Sequence, residues 1–427
     1  MKITKLKIDK HKHLENLEFD FTYPVGHPKA GKPLDKICFI GQSGTGKTNL
    51  LELISANHSG INKIKINEND FGFFDTTMQF DVEISFITNK NLIKLNKNEL
   101  TFNDRIFNYS NSSFNISPLL NSDEKDYVYY FNSNLISNAN LELLSKNPLE
   151  LVEKYPGYED ARFEYYAIKE KPVNFDENIG NGIWLSIFQE ILDYRKKFSQ
   201  KMSDLIHKGL LAKTNKLKTE FDKWQKDNPN PLIFLAEKLN PILDYINIEI
   251  DVVNTEYLIP ISNKKDEEII PIQDTSTGTK GLLLSFLPLL KLKTSNSIIL
   301  IDEPERSLYP DIQMKLMDYY KDFAPEAQFI VATHSPFIAA SFEPEERFIL
   351  YFDNEGKVAV RRGTSPIGDD PNDILTNDFG IDYINSYGQE KFQDYLELKQ
   401  KMLFEENEEL KKKYAQEVRE LGDKYNF

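Results

Sequence analysis

The chain contains a glycine-rich segment that ends in a lysine and a threonine. Residues 41–48 read GQSGTGKT and stand between a short apolar run, KICFI, and a segment with helical spacing, NLLELISANH. Glycines in such a loop let backbone N–H groups converge on phosphate oxygens, and the N-terminus of the following helix adds partial positive charge. We expect Lys47 to reach the β- and γ-phosphates of a nucleotide and the Thr48 hydroxyl to ligate Mg²⁺. The candidate nucleotide-binding residues are Gly41, Gln42, Ser43, Gly44, Thr45, Gly46, Lys47 and Thr48.

Two adjacent carboxylates end an apolar run much later in the chain. Residues 298–305 read IILIDEPE, so Asp302 and Glu303 follow four aliphatic residues that predict a buried strand. The C-terminal end of a parallel strand lies at the sheet edge where a phosphate loop also lies. Asp302 is therefore a candidate for the Mg²⁺ shell, and Glu303 is a candidate general base for an attacking water molecule. The alternative interpretation of the pair is a hydrated surface turn.

A histidine closes a second apolar run. His334 lies in FIVATHS, directly after the predicted strand at residues 329–332. A histidine at a strand tip that faces the γ-phosphate can donate a hydrogen bond to it and respond to its loss. The catalytic candidates are therefore Lys47, Glu303 and His334, although a single histidine can also have a purely structural role.

A serine–glycine motif opens a predicted helix shortly before the carboxylate pair. Residues 274–281 read DTSTGTKG. Many ATPases have a phosphate loop and an acidic strand, and far fewer have this third motif as well. Its presence indicates an ATP site that is closed by a second subunit. The residues concerned are Ser276, Gly278 and Thr279.

Strand and helix patterns predict how these motifs are positioned. KITKLKI and LENLEFDF alternate in polarity, which favours two antiparallel strands, and alternation between residues 71 and 107 favours a β-meander. Long helical patterns such as WLSIFQEILDYRKKF follow, and then buried strands at 298–301, 329–332 and 347–352. We predict an N-terminal lobe at 1–107, a mostly helical insertion at 108–231, a C-terminal lobe at 232–365 and a helical extension at 366–427.

Composition excludes several classes of protein. The 427 residues are 12% aromatic, which argues against a disordered chain, and the single cysteine, Cys38, rules out a disulfide framework within the chain. No secretory signal is visible, and no apolar run is long enough for a membrane-spanning helix. A cytoplasmic protein without a membrane partner is therefore expected, with Cys38 as a buried small hydrophobic residue.

Charge is distributed unevenly along the chain. The formal net charge is −15, which does not favour general binding to nucleic acid. Ten basic residues nevertheless fall between positions 195 and 226. They indicate either a solvated helical face or a surface that contacts phosphates. They are Arg195, Lys196, Lys197, Lys201, Lys208, Lys213, Lys216, Lys218, Lys223 and Lys226.

The order GQSGTGKT, STGTKG, IILIDEPE and ATHSP resembles the ABC-type ATPase heads of the SMC/RecF class. In particular, it is similar to the compact AAA-family ATPases of bacterial anti-phage and restriction-associated systems, such as the Septu- and retron-linked ATPases. The resemblance implies an α/β fold, namely a phosphate-loop ABC-type ATPase head with a mixed sheet and an antiparallel β-subdomain. A mostly helical insertion and C-terminal helices are added to this head.

The resemblance also implies roles for individual residues. Ser276 and Gly278 match the signature serine and glycine that contact the γ-phosphate bound by the opposing subunit, and Thr279 continues that motif. Residues 306–310 match the D-loop that crosses the dimer interface, with Tyr309 where many relatives have histidine. The position of the family's Q-loop glutamine has two candidates, Gln79 and the segment YVYYFNSN at residues 127–134.

The function that the resemblance implies is an ATP-hydrolysing molecular switch. Its ligands would be ATP and Mg²⁺, and it would work as a homodimer or a higher homo-oligomer that controls a separately encoded effector, a nuclease. A second hypothesis is a RecF- or SMC-like DNA-repair or DNA-scanning ATPase that binds duplex DNA through the basic segment. A third is a transporter ATPase subunit, although Thr275 stands where that signature begins with leucine.

Overall fold

The structure is a computed structural model. It describes residues 2–66, 82–87, 92–95, 99–103, 105–108, 128–155, 173–292, 294–295, 297–366, 371–381, 386–405 and 407–425. The strands are β1 (Lys2–His11), β2 (Leu14–Asp20), β3 (Lys36–Gly41), β4 (Val82–Ile87), β5 (Leu92–Leu95), β6 (Glu99–Phe102), β7 (Arg105–Asn108), β8 (Val128–Phe131), β9 (Val173–Phe175), β10 (Ile248–Ile250), β11 (Ile261–Asn263), β12 (Ile269–Ile270), β13 (Ile298–Asp302), β14 (Gln328–Ala332), β15 (Arg347–Phe352) and β16 (Val358–Arg362). The α-helices are α1 (Lys47–Ile66), α2 (Asn138–Leu144), α3 (Pro148–Lys154), α4 (Asn181–Ile187), α5 (Gln189–His207), α6 (Thr214–Asp227), α7 (Pro231–Leu243), α8 (Thr277–Leu289), α9 (Pro310–Phe323), α10 (Pro336–Ala339), α11 (Pro371–Asn377), α12 (Ser386–Phe404) and α13 (Glu408–Tyr425).

A mixed seven-stranded sheet carries the motifs found in the sequence. Its strand order is β16-β15-β3-β14-β13-β8-β9. The pairs from β15 to β9 are parallel, and β16 is an antiparallel edge strand. The three strands predicted beside the motifs, β3, β13 and β14, are adjacent at the centre of this sheet. Their carboxyl ends therefore meet at one edge, as expected for parallel strands.

Both faces of the central strands are covered. All five residues of β13 are buried, which fits a strand whose sequence is apolar without alternation. Ile298 and Leu300 pack in a core cluster with residues of α1, β1 and β2. On helices α8 and α9, the rings of Phe286 and Tyr320 stack with centroids 4.3 Å apart, and Tyr320 lies 6.0 Å from Phe329 of β14. The expected α/β head with a mixed sheet is confirmed.

A second sheet is antiparallel and begins at the N-terminal strands. Its order is β2-β1-β4-β5-β6-β7, and β1 pairs antiparallel with both β2 and β4. This confirms the two predicted N-terminal strands, and the described strands β4–β7 follow the predicted meander. Phe19 of β2 and Phe21, just beyond the end of β2, pack against Phe39 of β3 and Phe348 of β15, so aromatic rings join the two sheets.

The segment at residues 108–231 contains the predicted long helices α5 and α6, but also two strands that the sequence pattern did not reveal. β8 pairs in parallel with β13, and β9 pairs in parallel with β8, so both belong to the seven-stranded sheet. Each has only three or four residues, too few to display a period. The apolar run YINIEIDVV likewise forms only the short strand β10, in a separate three-stranded sheet with β11 and β12.

The chain divides into two units, Met1–Gly368 and Asp369–Phe427. The second unit holds α11, α12 and α13, and α12 packs against α13. Among the residues described here, no helix combines the length and the apolarity that crossing a bilayer requires. Cys38, in the middle of β3, is fully buried as predicted.

Candidate nucleotide-binding site

The glycine-rich loop connects β3 to α1 at the carboxyl edge of the seven-stranded sheet. Gly41, its first residue, has a φ of +146°, a conformation that residues with a side chain rarely adopt. It pairs with Leu350 of β15, and a Cβ at Gly41 would lie 2.0 Å from the Leu350 carbonyl oxygen. The close approach of β15 therefore requires glycine here, which explains the first residue of the motif.

Lys47 and Thr48 begin helix α1 and point toward different partners. The Lys47 ammonium group donates hydrogen bonds to the carbonyl oxygens of Gly41 (2.9 Å) and Gln42 (3.1 Å). Burial lowers the pKa of Lys47, and the negative charges of Asp302 and Glu303 oppose that shift. The Thr48 hydroxyl lies 3.1 Å from both carboxylate oxygens of Asp302. Two motifs about 250 residues apart in sequence are thus joined by one side-chain contact.

The carboxylate pair lies where β13 ends. Asp302 is only 5% exposed, and burial raises its pKa to about 6. The charge of Glu303 raises the pKa further, while hydrogen bonds with Thr48 and Ser133 oppose the shift. Glu303 adopts the left-handed conformation with a φ of +50°, and its backbone N–H donates to the Ala332 carbonyl oxygen at 2.9 Å. The two carboxyl groups therefore have different surroundings. Asp302 contacts Thr48, whereas the Glu303 carboxyl group is half-buried and makes no hydrogen bond with a described residue.

His334 follows β14, the neighbour of β13. Its side chain is exposed at the sheet edge. Partial burial and the positive charge of Lys47 lower the pKa of His334, and Glu303 opposes this. β14 pairs in register with β13, with Ala332 opposite Asp302, so His334 follows two residues later at the same edge of the sheet as Glu303. At neutral pH the imidazole is therefore mostly neutral, with one N–H to donate and one nitrogen to accept a hydrogen bond.

Glu305 belongs to the same group of residues and was missed from the sequence. Its Oε1 accepts a hydrogen bond from the His334 backbone N–H at 2.7 Å. Burial raises the pKa of Glu305, and hydrogen bonds with Thr333 and the His334 amide oppose the shift. The available signal was a third acidic residue in IILIDEPE, one position beyond Pro304.

The serine–glycine motif opens helix α8 as predicted. Ser276 is the N-cap residue, and its Oγ accepts a hydrogen bond from the Thr279 backbone N–H at 3.1 Å. A Cβ at Gly278 would lie 2.4 Å from the Ser307 carbonyl oxygen, so this glycine packs directly on Ser307 and Leu308 of the same chain. Within the described ranges, no hydrogen bond connects Ser276 or Thr279 to the phosphate loop. The structure therefore brings the motif to the D-loop segment and to a cleft that Asp302 and Glu303 also line.

The two Q-loop candidates have different outcomes. Gln79 lies outside the described residues. The segment 127–134 is described from Val128 onward and forms β8, the strand beside β13. Ser133, two residues beyond β8, contributes a hydrogen bond that lowers the pKa of Asp302, and its carbonyl oxygen accepts from the Arg306 guanidinium at 2.6 Å. The end of β8 is thus part of the candidate site.

The residues at this site fit a nucleotide with Mg²⁺. Mg²⁺ prefers oxygen ligands and commonly takes only one or two from the protein, with the rest from water and phosphate. Thr48 and Asp302 supply such oxygens side by side. In the parts of the chain that the structure describes, no group of three or more His, Cys, Asp or Glu side chains is arranged to hold a metal ion.

The basic segment forms a helical hairpin on α5 and α6. Tyr194 and Phe198 of α5 pack against Phe221 and Trp224 of α6, with ring centroids about 6 Å apart. Arg195 does not belong to the outer face as its sequence position suggested: it is 4% exposed and its guanidinium donates to the Asn254 carbonyl oxygen. Its burial and its hydrogen bond to Asn254, which lies outside the hairpin, explain this correction. The exposed lysines are Lys197, Lys208, Lys213, Lys216, Lys218, Lys223 and Lys226.

Comparison with known proteins gives consistent matches. A family model described as an AAA ATPase domain matches residues 1–339. The chain is 26% identical over 383 residues to the Retron Vc95 probable ATPase of Vibrio cholerae serotype O1 biovar El Tor, covering 79% of this chain and 73% of that protein. It is 34% identical over 73 residues to the Septu protein PtuA of Bacillus thuringiensis, covering 17% and 18% of the two chains.

Solved structures with some likeness include SMC head domains. One is an SmcHead bound to the C-winged helix domain of ScpA, with a TM-score of 0.40 and 14% identity over 85% of this chain and 97% of that chain. Another is the SMC head domain from Thermotoga maritima, with a TM-score of 0.38 and 14% identity over 86% of this chain and 100% of that chain.

Proposed function

Because the chain belongs to the AAA ATPase domain family, we propose that it binds ATP with Mg²⁺ at residues 41–48 and hydrolyses it to ADP and phosphate. The observation that carries the proposal is the contact of Thr48 with Asp302, 3.1 Å to each carboxylate oxygen. It brings a hydroxyl and a carboxylate, both suited to Mg²⁺, to the end of a phosphate loop that also holds a buried lysine.

Each residue has a distinct part in this reaction. The backbone N–H groups of the loop and the Lys47 ammonium bind the β- and γ-phosphates. Asp302, with its pKa raised to about 6, is ionised at neutral pH and with Thr48 holds Mg²⁺. Mg²⁺, when bound, neutralises charge on the phosphate oxygens. Glu303 accepts a proton from the attacking water, and the neutral His334 donates a hydrogen bond to a γ-phosphate oxygen.

The proposal extends to a head-to-head homodimer or a higher homo-oligomer. Ser276, Gly278 and Thr279 would contact the γ-phosphate held by the opposing subunit. Ser276 stands at the N-terminus of the 13-residue helix α8, where a helix favours anions. Tyr309, in the segment that matches the D-loop, is 73% exposed, which is unusual for a large aromatic side chain and suits an interface. Binding energy from the γ-phosphate would then favour the closed dimer, and hydrolysis would reopen it.

Two substitutions with matched controls test the ATPase proposal. Glu303→Gln removes the base but keeps the shape, so turnover should fall about 10²–10⁴-fold while ATP binding is retained. Lys47→Ala should abolish ATP binding. The exposed Glu326 and Lys238 supply controls: Glu326→Gln and Lys238→Ala should behave as wild type. Full turnover in Glu303→Gln would contradict the assigned base.

The same variants test assembly. With ATP and Mg²⁺, Glu303→Gln should accumulate as dimers or larger assemblies in sedimentation or light-scattering measurements, since it binds ATP without hydrolysing it. Lys47→Ala should remain in the state of the nucleotide-free wild type. A Glu303→Gln protein that stays monomeric at saturating ATP would contradict the shared-site model and leave the ATPase assignment standing.

The output that we propose is control of a separately encoded effector, a nuclease, in anti-phage defence. The support is that two relatives are named for a retron and for Septu. Cells carrying this gene with its genomic neighbours should restrict phage plating, and Lys47→Ala should abolish the restriction. Equal plating with the wild-type and Lys47→Ala genes would contradict this output.

A second candidate output is DNA scanning, and the exposed lysines of the α5–α6 hairpin favour it. Contacts between lysines and phosphates release counterions, so such binding weakens steeply with salt. Changing Lys213, Lys216 and Lys223 to Glu should strongly weaken duplex binding and reduce the slope of its dependence on salt. The matched control changes Lys399, Lys411 and Lys424 of the C-terminal helices. Binding that is unaffected by the hairpin changes would exclude this surface.

A further inference from the structure

Glu305 connects the loops that follow β13 and β14 at the candidate site. The sequence motifs assigned no role to this residue. It lies three positions after Asp302, beyond the end of β13, and its side chain crosses to the end of β14. There its Oε1 accepts the backbone N–H of His334 at 2.7 Å. Thr333, the residue before His334, also interacts with the Glu305 carboxylate and lowers its pKa. One side chain therefore holds the backbone at the histidine.

The environment of this carboxylate is unusual for a surface turn. Its Oε2 is inaccessible to solvent and accepts no hydrogen bond from any residue that the structure describes. Burying a carboxylate oxygen costs free energy unless strong interactions offset the loss of water. Here the donor is the His334 amide, and the Lys47 ammonium adds a favourable charge interaction. A hydrogen bond of this buried carboxylate thus goes to the backbone of His334.

The backbone of Glu305 also begins the D-loop turn. Its carbonyl oxygen accepts from the Leu308 N–H at 2.9 Å. Within this turn Ser307 adopts a left-handed φ of +61°, and its carbonyl oxygen lies against Gly278 at the start of α8. The side chain of Glu305 thus contacts the histidine, and its main chain leads to the serine–glycine motif.

We propose that Glu305 is a positioning residue that couples His334 to the D-loop and, through Ser307, to Gly278. Glu305 touches neither ATP nor the attacking water. By fixing the His334 backbone, it fixes where the imidazole meets the γ-phosphate, and it moves the turn at 305–308 when that contact is lost. This inference rests on the proposed ATPase function, and it names the link between hydrolysis in one site and the surface offered to the other subunit.

The test is a double-mutant cycle with a conservative control. Glu305→Ala removes the acceptor for the His334 amide, whereas Glu305→Gln retains a carbonyl oxygen in its place. In single-turnover assays Glu305→Ala should slow hydrolysis about 10- to 100-fold, the range for a lost hydrogen bond to a charged group. The dissociation constant for ATP should change less than about threefold, because Glu305 does not touch the nucleotide. Glu305→Gln should recover most of the lost rate.

The cycle with His334→Ala separates positioning from general destabilisation. If Glu305 acts through His334, then adding Glu305→Ala to His334→Ala should slow hydrolysis less than about twofold further. Rate losses that multiply in the double variant would overturn the proposal, as would a Glu305→Gln protein as slow as Glu305→Ala.

Amide hydrogen exchange gives a readout that needs no nucleotide. In Glu305→Ala the His334 amide should exchange at least about tenfold faster than in wild type, and in Glu305→Gln it should stay protected. Unchanged exchange in Glu305→Ala would overturn the inference even if the protein is an ATPase. A wild-type protein that hydrolyses no ATP would instead refute the proposed function, and the positioning role with it.

Discussion

Replacing Gly278 by alanine should destabilise the chain on its own, before any nucleotide or second subunit is added. The signature glycine is assigned a contact with the opposing subunit's γ-phosphate, but within its own chain it already lies against the Ser307 carbonyl oxygen. Gly281 stands three residues later in the same helix, α8, and offers a matched control. The same Gly→Ala change should lower the free energy of unfolding at Gly278 and maintain or raise it at Gly281.

The magnitudes follow from the space around each glycine. At Gly278 a Cβ would lie 2.4 Å from the Ser307 oxygen and 3.1 Å from Cδ2 of Leu308, whereas non-bonded atoms are best separated by about 3.5–4.0 Å. Relieving such overlap typically costs about 1–3 kcal/mol. At Gly281 the nearest atom, Cδ1 of Ile136, lies at an ordinary 3.5 Å. Alanine there should gain up to about 1 kcal/mol from its higher helix propensity.

Thermal and urea unfolding of the two variants without nucleotide measure the difference. Because about 1 kcal/mol corresponds to roughly 2–4 °C for a large domain, Gly278→Ala should lower Tm by several degrees, and Gly281→Ala should hold or raise it. The omission of nucleotide removes any contribution from contacts across a dimer. A Gly278→Ala protein as stable as Gly281→Ala would refute the packing of Ser307 on the glycine, and any defect in hydrolysis would then arise from the opposing site alone.

Two further predictions concern buried ionisable groups. Burial raises the pKa of Glu346 above its ordinary value of 4.5, and the Glu346 carboxyl group accepts a hydrogen bond from the Tyr23 hydroxyl. Between pH 4.5 and the raised pKa, the folded state therefore keeps a proton that the unfolded state has released. The free energy of unfolding falls as the pH rises through this range. Glu346→Gln should therefore be more stable relative to wild type at pH 8 than at pH 5 in urea unfolding, and a parallel pH dependence of the two proteins would contradict this. Burial also raises the pKa of the fully buried Cys38 thiol. Iodoacetamide should therefore label Cys38 at least about a hundredfold more slowly in native buffer than in urea. Equal labelling rates would show that β3 is accessible to the reagent.

The sequence predicted the parts of the site that local chemistry determines. The glycine loop between an apolar strand and a helix, and the two apolar runs that end in polar residues, can each be recognised from consecutive residues. Since parallel strands place their carboxyl ends at one edge, Thr48, Asp302 and His334 could be expected together. In the structure Thr48 contacts Asp302, and His334 follows the strand that pairs in parallel with β13. Which residues contact nucleotide, metal or a second subunit stays a prediction.

What the sequence could not predict depends on contacts between distant segments. The strand β8 has four residues, and only its pairing with β13 reveals it as part of the sheet. Arg195 carries the same charge as its neighbours, and only the packing of α5 shows that it faces inward to Asn254. Glu305 has the sequence context of a surface turn, and the role that we propose for it depends on a hydrogen bond to a residue 29 positions later.

The place of β3 in the sheet has a consequence for biosynthesis. This strand, which leads into the phosphate loop, lies between β14 and β15, so Lys36 pairs with Phe329 and Cys38 pairs with Arg347. Both partners leave the ribosome roughly 290–310 residues later, a delay of roughly 15–60 s at ordinary translation rates of about 5–20 residues per second. Throughout that interval an apolar strand has two unpaired edges, which is the arrangement that chaperones protect from aggregation. The two neighbours of the strand that leads into the nucleotide pocket are therefore complete only after β15 has emerged.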